Sequence, residues 1–128
     1  MMRKINLHHF KEIIEGKIVQ LATVSKKGKP NCICVEANKV IGNSILITDN
    51  QMEITFKNLM KNNKVALVIY NPKKNYAYQF KGIAKYFSSG KYFNLVKKLP
   101  ANKDFSPKGA ILIKVKEIYD LNEVKRVY

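Results

Sequence analysis

Arginine and acidic residues are scarce in this chain of 128 residues. Of the 24 basic residues only Arg3 and Arg126 are arginines, and the nine acidic residues leave a net charge of +15. Base reading and bidentate phosphate contacts favour the planar guanidinium over the flexible ammonium of lysine, so this balance argues against a sequence-specific nucleic-acid reader. The lysines are dispersed without a block of five or six, which is typical of a solvated surface.

Cysteine is also scarce, and the two that are present are Cys32 and Cys34. Residues i and i+2 of a strand point to the same face, yet such a pair makes a poor disulfide, and two thiols without further ligands make no structural zinc site. His8 and His9 have no neighbouring ligand pattern, so no metal site is predicted. We expect both cysteines to be small, buried side chains.

Long apolar runs are absent. No stretch approaches the roughly 20 residues that a membrane-spanning helix needs. His8, His9 and Lys11 occupy the place where a signal peptide would have its apolar core. The length fits one domain, residues 1–128, with a single hydrophobic core. We therefore expect a single cytoplasmic domain without a membrane segment.

Hydrophobic periodicity predicts a mainly β chain with peripheral helices. Short strands joined by turns, with helices inserted rather than alternating regularly, favour an antiparallel barrel over a parallel βαβ sheet. Gly82 is expected to mark a bulge or a kink in the longest strand. The helical spacing of Leu7, Phe10, Ile13 and Ile14, between an Asn6 cap and Gly16, predicts a first helix. The six predicted strands cover residues 18–24, 31–39, 44–48, 65–71, 76–87 and 110–119.

Two further helices are predicted between the strands. One begins near Met52, with Met52, Phe56, Leu59 and Met60 on its packed face and Ile54 outside it. The other follows Gly90 and points Phe93, Val96 and Leu99 inward.

The start of the helix near Met52 is a candidate phosphate site. Its first backbone N–H groups lack internal partners and lie at the positive end of the helix dipole, so an anion placed there accepts several hydrogen bonds. Thr55 would add a hydroxyl group. Ordinary capping of a strand-loop-helix junction explains the same pattern without a ligand.

This junction is one of several segments whose order and spacing are characteristic when taken together. The segments, in order, are residues 21–31, 49–59, 58–67, 78–84 and 109–115. Together they resemble, nearly end to end, the single-domain FMN-binding split-barrel proteins related to pyridoxamine 5′-phosphate oxidase. The resemblance implies a six-stranded antiparallel split barrel that binds FMN and works as a homodimer, with the flavin clefts at the subunit interface.

By position, the resemblance places the FMN phosphate near the loop and first helical turn, and the isoalloxazine along the second strand. Close relatives carry a lysine immediately before Thr55, where this chain has Ile54. Lys57 or Lys81 would then supply the missing charge, although Lys57 also fits a solvated helix position. The residues assigned in this way to cofactor binding are Cys34, Val35, Glu36, Thr48, Asp49, Asn50, Gln51, Met52, Thr55, Lys57, Gln79 and Lys81. Tyr78 or Gln79 would complete the flavin pocket, either within the same chain or from the partner subunit. The alternative for Tyr76, Tyr78 and Phe80, which share one face of their strand, is contact with the core or with the other subunit.

The function implied by the resemblance is that of an FMN-dependent oxidoreductase or electron-transfer protein acting on an unidentified partner. True pyridoxamine phosphate oxidases carry arginine and histidine substrate contacts in a C-terminal segment. The final residues 121–128 of this chain do not match that segment, so oxidation of pyridoxamine phosphate itself is not expected. The same fold with a deazaflavin, haem or no cofactor is an alternative.

An alternative from a different class is a basic β-barrel that binds single-stranded nucleic acid. Aromatic side chains would stack on the bases, while lysines would neutralise the phosphates. This hypothesis leaves the resemblance around residues 49–59 unexplained. The residues it needs are Tyr76, Tyr78 and Phe80 for stacking and Lys73, Lys74, Lys81 and Lys85 for the phosphates.

Overall fold

The computed structural model describes residues 5–128, so Arg3 lies outside the described part of the chain. A closed antiparallel barrel of six strands dominates it. The strands are β1 (Lys17–Val24), β2 (Pro30–Ile41), β3 (Ser44–Asp49), β4 (Lys64–Asn71), β5 (Tyr76–Phe87) and β6 (Gly109–Asp120), with a short β7 (Lys125–Arg126) added to β6. They follow the order β3-β2-β1-β4-β5-β6, and pairing of β3 with β6 closes the barrel. The predicted fold is thereby confirmed.

Helices surround the barrel. In residues 5–128, no helix is both long enough and apolar enough to cross a membrane. The predicted Asn6 cap is present, since its side chain accepts a hydrogen bond from the His8 N–H, and Gly16 ends the first helix with a φ of 76°. The helices are α1 (Lys11–Ile14), which follows a 3-10 turn (Leu7–Phe10), α2 (Ile54–Lys61) and α3 (Lys91–Lys98).

The barrel interior is filled by alternating side chains of its strands. Ile111, Ile113 and Val115 are buried, as their alternation in β6 predicts. On β5, Phe80 is fully buried, and the Phe10 ring packs edge-on against Tyr78 and Phe80 at 5.2 and 5.5 Å. The aromatic face of β5 is therefore part of the core.

Helix α3 lies over a second, smaller apolar cluster. Val96 is buried there with Leu46 and Ala110, and Phe93 and Leu99 are partly buried against them. The inward face predicted for this helix is therefore confirmed.

The burial predicted for the cysteines was wrong, because Cys32 and Cys34 are exposed free thiols. The strand is present as predicted, but the two cysteines lie on its outer face. Ile33 and Val35 pack against the core instead. The more hydrophobic pair takes the inner face, and the smaller thiols are left outside.

The packed face predicted for α2 was also partly wrong. The helix begins at Ile54, after a turn in which the Met52 N–H donates to Asp49, and its buried side chains are Thr55, Asn58 and Leu59. Met60 is 48% exposed. Polar side chains can occupy the buried face because they are hydrogen bonded. Asn31 Nδ2 donates to Thr55 Oγ1 at 3.2 Å, and Asn58 Nδ2 donates to Thr23 Oγ1 at 3.0 Å.

In the described part of the chain, the pairing of β2 with β3 in the closed barrel is incomplete, which leaves a gap along the edge of β2. Strand β3 pairs with β2 only from Ala37 to Ile41, with a register shift between Ala37 and Lys39. Within the described residues, the stretch 31–36 of β2 pairs with β1 and has no strand on its other side. This opening faces the loop that leads from β3 to α2.

Gly82 lies at a bulge where the register of β5 against β6 shifts. A Cβ atom at this position would overlap the backbone carbonyl oxygen of Lys114. The backbone of β6 cannot move aside as a flexible side chain would. The predicted bulge is confirmed, and the close strand approach explains its glycine.

We expect Gly82→Ala to lower the free energy of unfolding by about 1–3 kcal/mol, because the new methyl group is forced against backbone. Urea denaturation measures the change. Ser89→Ala introduces the same side chain at an exposed loop position and should stay within about 0.5 kcal/mol of the wild type. Equal stability of both variants would contradict the close approach.

Candidate functional site

A cleft of about 530 Å³ occupies the opening of the barrel. Four consecutive residues of β2, 33–36, line this cleft. Side chains of consecutive residues point to opposite faces of a strand, so the cleft must border the open edge of β2 and not a single face of the strand. The lining residues are Asn31, Ile33, Cys34, Val35, Glu36 and Asn38 of β2, Thr48, Asn50, Gln51, Met52 and Glu53 of β3 and the following loop, Ile54 and Thr55 of α2, and Ala101, Asn102 and Phe105.

Most of the residues assigned from the sequence come together around this cleft. Residues from two strands, a loop and a helix, far apart in the chain, thus share one site. Their contact with a cofactor stays a prediction. The assigned residues that line the cleft are Cys34, Val35, Glu36, Thr48, Asn50, Gln51, Met52 and Thr55.

Four assigned residues do not line the cleft. Asp49 is completely buried behind the loop, and Lys57 is exposed on α2. Gln79 and Lys81 belong to β5, which is separated from β2 by β1 and β4. The ammonium of Lys81 lies 5.0 Å from the centre of the Tyr119 ring. A role for Gln79 or Lys81 at the cleft would require a second subunit.

A chain of hydrogen bonds joins the polar side chains on one wall of the cleft. Asn102 Nδ2 donates to Thr48 Oγ1 at 2.9 Å, Thr48 donates to Asn38 Oδ1 at 2.7 Å, and Asn38 Nδ2 donates to Glu36 Oε2 at 2.9 Å. Asn50 Nδ2 reaches Asn102 Oδ1 at 3.4 Å. The chain fixes the orientation of these side chains across three separate segments.

Sequence reasoning missed several members of this wall. Asn38 had a usable signal, since it follows Glu36 by two residues and shares its side of the strand. Asn102 had no such signal in the sequence, because it lies in a segment predicted to be a loop. Its position depends on hydrogen bonds that its Nδ2 donates to Thr48 Oγ1 and, at 2.8 Å, to the Val96 carbonyl oxygen. Among the described residues, Asn50 Oδ1 is a buried acceptor without a donor.

The start of α2 faces the cleft without a side-chain cap. Its N-cap residue is Glu53, whose side chain makes no capping hydrogen bond. Thr55 Oγ1 accepts from Asn31, which leaves the hydroxyl proton to donate. The first turn can therefore offer backbone N–H groups and a hydroxyl to an anion.

Among the described residues, the cleft has no cationic side chain to assist such an anion. Its lining includes two glutamates, Glu36 and Glu53, but neither lysine nor arginine within residues 5–128. Ile54, 60% exposed at the rim, occupies the place of the lysine expected from the resemblance. Within the described residues, no three His, Cys, Asp or Glu side chains come together as a potential metal site.

Behind the loop, Asp49 is held by two hydrogen bonds. Its Oδ1 accepts from the Met52 N–H at 2.7 Å, and its Oδ2 accepts from the Tyr86 hydroxyl at 2.6 Å. Burial, followed by the hydrogen bond to Asp49, raises the pKa of Tyr86, so the phenol stays protonated and donates at neutral pH. The loop is thus anchored on the side away from the cleft.

Comparison with known proteins places the chain in a family. The family model described as pyridoxamine 5′-phosphate oxidase matches residues 7–122. An uncharacterized protein of Methanocaldococcus jannaschii is 42% identical over 113 residues, which cover 84% of this chain and 75% of that protein.

Solved structures share the fold at lower identity. The HupZ protein of Group A Streptococcus aligns over 100% of both chains with a TM-score of 0.84 and 23% identity. An FMN-binding protein from Syntrophomonas wolfei aligns over 88% of this chain and 86% of its own with a TM-score of 0.74 and 16% identity. The chain belongs to the pyridoxamine 5′-phosphate oxidase family of split-barrel proteins.

Proposed function

We propose that this protein binds FMN in the cleft between the open edge of β2 and the start of α2, and acts as an oxidoreductase or electron-transfer protein. The observation that carries this proposal is the uncapped start of α2, which faces a cleft of about 530 Å³ beside an unpaired strand edge. Family membership and the fold shared with an FMN-binding protein support it.

The phosphate of FMN fits the end of the cleft formed by the loop and α2. Backbone N–H groups of the first turn and the Thr55 hydroxyl would donate to its oxygens. Asn50, with its unpaired buried Oδ1 beside the cleft, matches a ligand that carries hydroxyl donors, as the ribityl chain does. Since no lysine or arginine of the described part of the chain lines this end, binding would depend on oriented backbone dipoles.

The flavin ring fits the end of the cleft along β2. Ile33, Val35 and Met52 supply apolar contact, and the free strand edge offers backbone donors and acceptors to a planar heterocycle. Phe105, 56% exposed, lies at the rim of the cleft. When bound, the flavin supplies hydride or single-electron transfer, and the protein positions the ring and admits a second reactant.

We also propose a homodimer formed through the outer face of β1 and β4. Ile18 and Tyr70 are 59% and 66% exposed on these strands, and monomeric surfaces seldom leave such residues clustered without a partner. A cross-strand row joins Cys34, Gln20, Val68 and Gln79 by register. A twofold dimer across this face would bring Gln79 of a second subunit towards the cleft that Cys34 lines.

The packing of aromatic side chains of β5 in the core argues against the nucleic-acid alternative. Phe80, one of the three rings needed for base stacking, has no exposed surface. The Tyr78 ring packs on Phe10. The continuous aromatic platform that single-strand binding would use is therefore absent from β5.

Retention of FMN tests the proposal directly. The purified protein is mixed with excess FMN, separated from free ligand by gel filtration and examined by absorption. Flavin bands that elute with the protein would support the proposal. A colourless protein would contradict it, and the same procedure with a deazaflavin or haem would then test those cofactors.

We expect Thr55→Val to weaken FMN binding by about 1–2 kcal/mol, because it removes a hydroxyl from the phosphate end of the cleft. Thr23→Val is a matched control. Thr23 is also buried and also accepts from an asparagine amide, Asn58, but it does not line the cleft. Titration of FMN measures both. Equal affinities of the two variants would remove Thr55 from the site.

We expect Ile18→Glu to convert a dimer to a monomer, because a buried, unpaired carboxylate at an interface is costly. Light scattering coupled to gel filtration measures the mass. Val124→Glu places the same charge at a side chain that is 87% exposed near the C-terminal strand and should leave the mass unchanged. A dimeric Ile18→Glu variant would exclude this face as the interface.

A further inference from the structure

The backbone N–H and the carbonyl oxygen of Met52 both form hydrogen bonds on the side of the loop that faces away from the cleft. The N–H donates to Asp49 Oδ1 at 2.7 Å, and the carbonyl oxygen accepts from Lys108 Nζ at 2.9 Å. The Asp49 backbone carbonyl also accepts from the Lys108 N–H at 2.7 Å. Two contacts therefore fix the middle of the loop 50–53 and a third fixes Asp49 just before it, all without entering the cleft.

Tyr86 is itself held firmly in this arrangement. Its hydroxyl donates to Asp49 Oδ2 at 2.6 Å, and the Phe56 ring packs against its ring at 4.8 Å. A Cβ atom on Gly109 would overlap the Tyr86 ring, so the glycine leaves the space that the ring fills. Strand β5, strand β6 and helix α2 thus jointly set the position of the phenol.

We propose that Asp49, Tyr86 and Lys108 are positioning residues, which hold the loop 50–53 in the shape that receives the phosphate of the cofactor. This inference rests on the proposed FMN function. None of the three lines the cleft; instead they line a second cavity of about 420 Å³ with Phe56, Met60 and Ser88. Their effect on the ligand would pass through the loop backbone.

Because the cleft has no lysine or arginine from residues 5–128, such positioning becomes important. A lysine on a flexible stem attracts phosphate over a range of geometries, whereas backbone N–H groups bind only when their directions converge. Fixing the loop in advance removes the entropy cost of ordering it on binding. Asp49, Tyr86 and Lys108 together form a clamp on the loop, which would thereby compensate for the cation that the cleft lacks in residues 5–128.

Lys108 has a second effect through its charge. Asp49 is a buried carboxylate close to the proposed phosphate site and by itself would repel an anion. Lys108 lines the same cavity as Asp49, and its ammonium, which binds the Met52 carbonyl rather than pairing directly with Asp49, would offset part of that charge. This contribution is electrostatic and is therefore screened by salt.

The test compares FMN with riboflavin, which has the same ring and ribityl chain but no phosphate. We expect Tyr86→Phe to weaken FMN roughly tenfold, the scale of one hydrogen bond, and to change riboflavin by less than about twofold. Tyr92→Phe makes the same chemical change on α3, where the ring packs against Phe87, and should leave both affinities unchanged.

The outcomes separate the inference from the proposed function. A wild type that binds neither ligand overturns both. A wild type that binds FMN, with unchanged affinity in Tyr86→Phe, overturns only the positioning role. Equal losses of FMN and riboflavin also overturn it, because they would indicate a general disturbance of the cleft.

Lys108→Met tests the clamp without disturbing the core, since Lys108 is exposed. We expect a loss of FMN affinity that is larger at low salt than at high salt, with riboflavin unaffected. Lys103→Met removes an exposed lysine of the same loop that makes no contact with Met52 and should show a smaller loss of FMN affinity. Equal losses in the two lysine variants would show that only net charge matters and would contradict the clamp.

Discussion

The incomplete pairing of β2 with β3 is the constraint on which the site depends. β3 pairs along its whole length with β6, which closes the barrel, but reaches β2 only from Ala37 onward. The remaining edge of β2 is left open, and the chain that leaves β3 must cross the gap before α2 begins. Barrel closure and cleft formation are thus two results of the same strand arrangement.

The distribution of charge is unusual for a protein proposed to bind a phosphate. The chain carries a net charge of +15, yet no lysine or arginine lines the cleft in the described residues. The surrounding positive field favours the approach of an anionic ligand, while the final contacts would come from backbone dipoles. Long-range attraction and local recognition are therefore carried by different parts of the molecule.

Much of the fold follows from the sequence because its signals are local. Alternation in β6, the turns and the bulge glycine Gly82 each depend on neighbouring residues. The buried faces of β2 and α2 were predicted in part wrongly because tertiary contacts determine them. In β2, Ile33 rather than Cys32 packs against the core, and in α2 Thr55 is buried with a hydrogen bond from Asn31. Local patterns carry no record of such partners.

The candidate site was predictable where helix chemistry or a family pattern pointed to it. The start of α2 was predicted from its free backbone N–H groups, and most residues assigned by resemblance around the β3-α2 junction line one cleft, although Asp49 and Lys57 do not. The contacts of Asn102 with Thr48 and of Tyr86 with Asp49 join residues separated by 54 and 37 positions, and neither partner signals the other in the sequence. Physical pairing over such distances is visible only in three dimensions.

The closing pair of strands also bears on how the chain folds. β3 and β6 join residues 44–49 to residues 109–114, so this pairing requires most of the chain to be present. Contacts between distant segments form slowly because a large loop must close first. The hairpins β1–β2 and β4–β5 need only short loops. During synthesis the ligand cleft would therefore be among the last parts of the molecule to be completed, after β6 has emerged.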